Sequence, residues 1–280
     1  MGRNVRFSWE IHRTCNFKCP YCWHFGKWEE LEKQNIYPGL DKLIQVWKRI
    51  YDLYGKCHID ILGGEPSIYP EINELLIELI KYHEVFVTTN LSGSFDKLLN
   101  SISTDLSEKI RISASFHPMF ANIDDFIKKA IRIKNKLISC VLYLAYPPQI
   151  KDLEKYKKIF EQNGLSFSVL TFWGIYKGKQ YPDSYTDEEK KIIGISLSSR
   201  GGKKFQIEPF VPTGKLCNAG HKYGNIQPNG KVLACGGASN TVKVDFIGNL
   251  FDPNFRLLDK PMICPAKTCP CNEWAELLVK

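Results

Sequence analysis

Three cysteines near the N-terminus have the spacing of ligands to a single metal centre. Cys15, Cys19 and Cys22 lie within eight residues, directly after an apolar run of strand length. Thiolates are the usual ligands of iron–sulfur clusters, and three of them leave one iron of a cubane open for a small molecule, as catalytic metal sites keep one position open. A zinc site completed by His12 or His24 is the alternative that this spacing leaves open.

A second group of cysteines lies near the C-terminus. The chain has ten cysteines in 280 residues and starts without a signal-peptide core, so its close Cys spacings favour metal ligation over disulfides. The segment Ile226–Cys235 carries Asn-Gly at its centre and predicts a β-hairpin. A structural zinc ribbon is the alternative for this group. The five cysteines of the group are Cys217, Cys235, Cys264, Cys269 and Cys271. Cys57 and Cys140 stand alone in apolar surroundings, and we interpret both as structural.

Apolar runs alternate with amphipathic segments up to about residue 200. The predicted strands are Val5–His12, His58–Leu62, Val85–Thr89, Ile110–Phe116, Leu137–Ala145 and Ser166–Phe172. The predicted helices are Gly39–Tyr54, Pro70–Tyr82, Phe95–Ser101, Ile123–Lys134, Lys151–Gln162 and a last one with Thr186 or Ser184 as its N-cap, ended by Gly201-Gly202. Six strand–helix units in strict order imply parallel strands with right-handed crossovers. Doubly wound sheets and barrels both satisfy this pattern.

Beyond Gly202 helical periodicity is lost until Glu273–Val279, so we place a domain boundary near residues 200–205.

Composition and charge limit the class of protein. The net charge of +8 comes from scattered basic residues, which favours a solvated surface over a nucleic-acid partner. No apolar run approaches the ~20 residues that a membrane helix needs. We therefore expect a soluble, cytoplasmic protein with no membrane partner.

The first cysteine loop resembles the hallmark of the radical S-adenosylmethionine (SAM) superfamily, Cys-x3-Cys-x-aromatic-Cys after the first strand. Cys15, Cys19, Tyr21 and Cys22 match it position by position. The resemblance implies that SAM chelates the open iron of a 4Fe–4S cluster, and that an electron from a donor such as flavodoxin or ferredoxin splits SAM. The resulting 5′-deoxyadenosyl radical abstracts hydrogen from the substrate. The resemblance also implies a partial (β/α)6 TIM-type barrel over residues 1–204.

Polar residues end three of the predicted strands. Gly63-Gly64-Glu65-Pro66 ends the second strand, and its glycines permit close approach of the backbone to a ligand. Asn90 ends the third strand, and Ser113, Ser115 and His117 lie at the end of the fourth, where barrel strands face ligands. The resemblance implies that all of these except His117, together with Tyr21, bind the cofactor. Turn chemistry is the alternative for Asn90. His117 is a candidate acid or base, or a satisfied polar group beside a turn proline.

The C-terminal cysteines resemble the twitch and SPASM extensions of radical SAM enzymes. A Cys-x12-Gly-x4-Cys pattern begins at Cys217 and ends at Cys235. A full SPASM domain would need more than the five cysteines present, so the resemblance implies the smaller twitch type over residues 205–280, with one auxiliary 4Fe–4S cluster. The implied ligands are Cys217 and Cys235 with two of the remaining three cysteines, of which Cys269 and Cys271 are preferred.

Together the two cysteine groups predict a radical SAM oxidoreductase or maturase that works anaerobically. We expect it to dehydrogenate, epimerise or cross-link a peptide or a small metabolite. One alternative is an activase of a glycyl-radical enzyme, although the extra cysteines of activases follow soon after the first motif. A second alternative, from another class, is a non-catalytic zinc or iron–sulfur protein.

Overall fold

Six parallel strands, each followed by helical structure, form the N-terminal part of the protein. The computed structural model describes residues 4–195, 199–200, 203–204, 211–236, 245–267, 269 and 277–279. The strands are β1 (Arg6–His12), β2 (His58–Gly63), β3 (Glu84–Thr89), β4 (Ile110–Ser115), β5 (Ile138–Ala145) and β6 (Phe167–Thr171). They pair in chain order, each parallel to the next, which confirms the predicted partial TIM-type α/β barrel.

Helices cover the outer face of this sheet. They are α1 (Trp28–Glu32), α2 (Leu40–Tyr54), α3 (Ile72–Leu79), α4 (Asp96–Ser101), α5 (Thr104–Ser107), α6 (Ile123–Lys134), α7 (Leu153–Gln162) and α8 (Asp187–Ile195), with 3-10 turns over Pro66–Ile68 and Pro147–Asp152. Helix α2 buries Leu43, Val46, Trp47 and Ile50, an i, i+3, i+4, i+7 spacing that forms one apolar stripe. Thr186 caps α8 with Glu189 as a reciprocal capping box, as predicted.

Strand β1 shows how the sequence separates the two faces of the sheet. Phe7 and Trp9 pack on Trp47 of α2, with ring centroids 5.7 and 5.3 Å apart. The alternate residues Arg6, Ser8 and Glu10 point to the opposite, inner face, because side chains along a strand alternate between faces. Each of the six predicted strands is observed, with ends within one residue of the prediction. The apolar alternation was therefore sufficient to locate the barrel strands.

The C-terminal segment extends the same sheet beyond β1. Strand β12 (Tyr223–Ile226) pairs parallel to β1, and β13 (Lys231–Leu233) and β14 (Phe246–Asn249) follow it in antiparallel pairs. The described strands give one sheet of nine in the order β14-β13-β12-β1-β2-β3-β4-β5-β6. The β12–β13 hairpin turns at Asn229-Gly230, where Gly230 has φ +80°, and this confirms the predicted hairpin.

Short strands complete the described part of the chain. The pairs are β7 (Gly174–Tyr176) with β8 (Lys179–Tyr181), β9 (Ser199–Arg200) with β10 (Lys203–Lys204), and β11 (Leu216–Cys217) with β15 (Met262–Ile263). The predicted helix stop at Gly201-Gly202, Cys271 and most of the predicted segment Glu273–Val279 lie outside the described residues. Within the described residues, none of the helices has both the length and the apolar character needed to span a membrane.

Candidate active site

One cavity of about 300 Å³ opens at the carboxyl ends of the parallel strands. Its wall includes the last residues of four strands, namely Gly63 of β2, Thr89 of β3, Ser115 of β4 and Thr171 of β6. The cysteines Cys15, Cys19 and Cys22 line the same cavity. The cysteine loop and the predicted strand ends therefore face one another across a single space, where barrel proteins bind their ligands.

The cysteine loop is folded into consecutive turns that direct backbone N–H groups at two of the sulfurs. Cys22 N donates to Cys19 O at 3.1 Å. The N–H of Phe17 donates to Cys15 Sγ at 3.4 Å, and the N–H of His24 donates to Cys22 Sγ at 3.5 Å. Such donors stabilise thiolate ligands and tune the potential of an iron–sulfur cluster. Three thiols with these donors around one cavity fit the ligand set of a site-open 4Fe–4S cluster.

The same loop is joined to the end of β2 by backbone hydrogen bonds. Gly64 N donates to His12 O at 2.7 Å, and Glu65 N donates to Thr14 O at 2.9 Å. A Cβ on Gly64 would lie 2.0 Å from Thr14 O, and one on Gly63, whose φ is +136°, would lie 2.1 Å from His12 O. The two glycines are therefore required by the approach of the cysteine loop itself, a reason that the motif alone does not reveal.

Glu65 is a buried carboxylate at the junction of β2 and β3. Its side chain is 1% exposed and accepts hydrogen bonds from Ser67 N (2.8 Å), Asn90 N (2.5 Å) and the Thr89 hydroxyl. Burial raises the pKa of this carboxyl above its ordinary value, while the donated hydrogen bonds act in the opposite direction. The residue therefore fixes the ends of two neighbouring strands to each other.

Asn90 connects the end of β3 to the cysteine loop. Its Nδ2 donates to Asn16 Oδ1 at 3.2 Å and lies 3.9 Å from Cys15 Sγ, within hydrogen-bonding range for sulfur. Its Oδ1 accepts from Ser92 N at 2.8 Å. Asn90 therefore does both things considered for it: its Oδ1 accepts the turn hydrogen bond, and its Nδ2 contacts the cysteine loop. The sequence analysis did not predict Asn16 as a site residue, because the motif does not specify it. Its polar side chain next to Cys15 was the feature that could have indicated a role in the site.

Tyr21 and His117 form a stacked, hydrogen-bonded pair in the cavity wall. The Tyr21 hydroxyl lies 3.0 Å from Nδ1 of His117, and the ring centroids are 5.8 Å apart at 23°. Burial lowers the pKa of His117 to about 4. The imidazole is therefore neutral at physiological pH, so it can accept or donate one hydrogen bond at each nitrogen according to its tautomer.

Two of the predicted cofactor residues do not line the cavity. Pro66 begins the 3-10 turn after β2, and Ser113 lies two residues before Ser115 on the same face of β4, with its hydroxyl 3.6 Å from Cys140 Sγ. Most of the remaining wall is apolar or aromatic and was not predicted as part of the site. These wall residues include Phe17, Trp23, Trp28, Leu142, Leu170 and Phe172.

Burial disfavours the ionised thiols of the metal-free loop. The pKa of Cys15 is raised to about 11 and that of Cys19 to about 12, in both cases mainly because burial removes solvent from the thiolate. Each thiol also feels the others, since charge on one raises the pKa of its neighbours. Within the described residues, no three His, Cys, Asp or Glu side chains lie close enough together to ligate a single metal ion.

The C-terminal cysteines form a second group at some distance in sequence from the first. Strand β11 pairs with β15, placing Cys217 opposite Met262, two residues before Cys264. Cys217, Cys235 and Cys264 all pack in one small apolar cluster, and burial is the main cause that raises the pKa of Cys217. Cys264, one of the three candidates for the remaining two ligands, thus packs with Cys217 and Cys235, whereas Cys271 lies outside the described residues.

Comparison with known proteins identifies the domain. Residues 9–105, which contain the cysteine loop, Glu65 and Asn90, match the family model of the radical SAM superfamily. Residues 9–105 are therefore a radical SAM domain. SAM and a 4Fe–4S cluster are the cofactors of radical SAM enzymes, and the cavity described above provides the matching donor set.

Individual radical SAM relatives are distant. The chain is 24% identical over 267 residues to the PqqA peptide cyclase of Methylorubrum extorquens, covering 85% of this chain and 67% of that protein. It is 31% identical over 75 residues to a SAM-dependent nucleotide dehydratase of a Fibrobacter strain, covering 25% of this chain and 21% of the dehydratase. The crystal structure of Streptococcus suis SuiB has a TM-score of 0.63 at 14% identity, covering 90% of this chain and 64% of SuiB. The chain thus spans about a fifth of the dehydratase and less than two thirds of SuiB.

Proposed function

We propose that this chain cleaves SAM reductively and uses the resulting 5′-deoxyadenosyl radical to abstract hydrogen from a peptide. The observation that carries the proposal is the single cavity lined by Cys15, Cys19 and Cys22 on one side and by the ends of β2 and β3 on the other. When bound there, a site-open 4Fe–4S cluster with SAM supplies the electron and the radical.

The chain's own residues have distinct tasks in this proposal. Cys15, Cys19 and Cys22 hold the cluster, and the N–H groups directed at their sulfurs stabilise the thiolate form. The segment from Gly63 to Glu65, with Asn90 and Ser115, lies across the cavity and orients SAM. Tyr21 and His117 close the aromatic side of the wall and exclude water from the radical.

The charge of the cavity wall supports a peptide over a nucleotide. Among the described residues that line the cavity there is no lysine or arginine, and Glu65 is the single carboxylate. Phosphate groups are normally recognised by Arg, Lys or helix N-termini, and this wall offers no such cation. The PqqA peptide cyclase matches over most of the chain, and SuiB has been solved bound to the precursor peptide SuiA. The reaction is a dehydrogenation, an epimerisation or a cross-link.

Residues 205–280 are proposed as a twitch-type unit that binds an auxiliary 4Fe–4S cluster. Cys217, Cys235 and Cys264, which pack together, provide three ligands, and Cys269 or Cys271 provides the fourth. A cluster bound there would supply a one-electron acceptor, so that loss of a hydrogen atom, a proton and an electron from the substrate would add up to a two-electron oxidation. Flavodoxin or ferredoxin is the proposed electron donor for the first cluster.

Iron analysis after anaerobic reconstitution tests the proposal. We expect about eight irons per chain in the wild type and about four in the triple variant Cys15→Ala, Cys19→Ala and Cys22→Ala. The wild type with dithionite should convert SAM to 5′-deoxyadenosine, and the triple variant should not. Zinc in place of iron, or unchanged iron in the triple variant, would overturn the proposal and indicate a structural metal protein.

The substrate class has its own test. Release of 5′-deoxyadenosine by the reconstituted wild type is measured with a library of peptides bearing neutral side chains and, separately, with the ribonucleoside triphosphates. We expect stimulation and deuterium transfer from peptides only. Stimulation by a triphosphate with deuterium transfer from its ribose would replace the peptide by a nucleotide substrate, in line with the relationship to the dehydratase.

A further inference from the structure

Glu65 accepts hydrogen bonds from three neighbouring residues. Ser67 N and Asn90 N are backbone amides, which only donate, and they lie 2.8 and 2.5 Å from the two carboxylate oxygens. The Thr89 hydroxyl oxygen already accepts from Leu91 N at 3.0 Å, so its own proton is directed at Glu65. No ion pair of Glu65 with lysine, arginine or histidine occurs among the described residues.

This arrangement of donors favours the ionised form of the side chain. A protonated carboxylic acid has one proton to donate, and each of the three partners of Glu65 uses a donor toward it. Three donated hydrogen bonds are the pattern that stabilises an ionised carboxylate. The hydrogen bonds therefore favour the ionised form of Glu65, against the burial that raises its pKa, and in that form the side chain is a negative charge in the cavity wall, 1% exposed, that is stabilised by dipoles.

The same carboxylate sets the position of a donor near the cysteine loop. By holding Asn90 N, Glu65 fixes the residue whose Nδ2 lies 3.9 Å from Cys15 Sγ and 3.2 Å from Asn16 Oδ1. The next residue, the buried Leu91, has φ +59°, a left-handed conformation that is unfavourable for a residue with a Cβ. Such strain persists only where surrounding contacts over-determine it, and it concentrates at functional sites.

We propose that Glu65 and Asn90 set the reduction potential of the cluster held by Cys15, Cys19 and Cys22, and that they do so in opposite directions. The buried negative charge of Glu65 opposes the arrival of an electron and makes the reduced cluster a stronger reductant. The Asn90 N–H donated toward Cys15 stabilises the reduced cluster and raises its potential. The inference rests on the proposed function and deepens it.

The test is a redox titration of the full chain, reconstituted anaerobically, without SAM, and followed by the EPR signal of the reduced cluster. Any signal that remains in the triple cysteine variant is subtracted. Glu65→Gln removes the charge and should shift the potential to a more positive value. Asn90→Ala removes the side-chain donor but keeps the backbone N–H that bonds Glu65, and it should shift the potential to a more negative value.

Two matched variants serve as controls. Glu84→Gln removes a carboxylate at the opposite end of β3, where Glu84 pairs with Lys56 at 2.6 Å, and should leave the potential unchanged. Ser92→Ala removes the other donor to Asn16 Oδ1, at 3.0 Å, without a contact to Cys15, and should also have no effect. If Glu65→Gln does not fold or bind iron, the shift of Asn90→Ala decides the question.

The outcomes separate the inference from the proposed function. Shifts of opposite sign in the two variants, with neither control moving, support the inference. Equal potentials in wild type, Glu65→Gln and Asn90→Ala, with iron content retained, overturn the inference and leave the proposed function standing. A wild type that binds no iron at Cys15, Cys19 and Cys22 overturns both.

Discussion

The Tyr21 hydroxyl and Nδ1 of His117 lie 3.0 Å apart, although 96 positions separate the two residues in sequence. The pair joins the cysteine loop to the segment after β4, and Phe17 of the same loop contacts the His117 ring edge-on at 6.1 Å. The cysteine loop is therefore held from two sides, by the Glu65 and Asn90 network at β2 and β3 and by His117 beyond β4. Each of these two sets of contacts can be removed by a separate substitution.

Tyr21→Phe should destabilise the metal-free chain by about 1–2 kcal/mol, because it leaves the Nδ1 of a half-buried imidazole without its partner. Urea denaturation of the apoprotein measures the loss. Tyr51→Phe is the matched control: Tyr51 is 39% exposed and makes ring contacts with Tyr82 and His83, which phenylalanine preserves. Equal stabilities of the two variants would contradict a structural role for the hydroxyl.

His117 should make the fold sensitive to acid. Its pKa is lowered to about 4 by burial, whereas an unfolded histidine titrates near 6.5, so the unfolded chain binds more protons between these values. The stabilising contribution is complete above the unfolded pKa and is lost as the pH falls toward 4. Between pH 7 and pH 5 the apoprotein should lose about 2 kcal/mol from this residue. Chemical denaturation at both pH values should show a smaller difference for His117→Gln, and an unchanged difference would refute the assignment.

Gly64→Ala should prevent cluster binding. The new Cβ would lie 2.0 Å from Thr14 O, so the end of β2 and the cysteine loop would have to separate, with an expected loss of about 3 kcal/mol in unfolding free energy. Gly194→Ala is the control, since a Cβ there meets nothing within 4 Å. Denaturation and iron content are measured for both variants. Iron bound by Gly64→Ala at the wild-type level would show that the close approach is dispensable.

Cys264→Ala should lower the iron content of the reconstituted chain by about four per molecule, because Cys264 packs with Cys217 and Cys235. Cys140→Ala should retain all iron, since Cys140 lies on β5 beside Ser113 and does not line the cavity. Iron is determined together with acid-labile sulfide. Full iron in Cys264→Ala would return Cys269 and Cys271 as the ligands that complete the site.

Local sequence patterns were sufficient to predict most of the fold and the residues at the centre of the site. The period-two alternation in β1, for example, follows from one buried and one inward-facing side, and the cysteine spacing marks the loop directly after it. Residues at the ends of β2, β3 and β4 could be placed at one mouth because the carboxyl ends of parallel strands lie together. These are inferences about neighbours in sequence or about a regular topology.

The features that could not be predicted depend on contacts between distant segments. Ser113 and Ser115 have the same residue type and the same strand face, and only the depth of the cavity separates their environments. The aromatic wall from Trp23 and Trp28 to Phe172 is contributed by loops, whose apolar residues resemble ordinary core in sequence. The pairing of β12 with β1 joins residues more than two hundred positions apart, and four residues of β12 carry no signal for a parallel partner.

That pairing has a consequence for how the protein is made. The strand that leads into the cysteine loop leaves the ribosome before one of its two neighbours, Tyr223–Ile226, which is synthesised more than two hundred residues later. Until that neighbour arrives, β1 is an edge strand with a row of unpaired amides and carbonyls, which is a template for association with other chains. A nascent chain interrupted near residue 204 would contain Cys15, Cys19 and Cys22 but would lack the strands β12, β13 and β14. Completion of the sheet beside the cysteine loop therefore requires synthesis of the chain through Ile226.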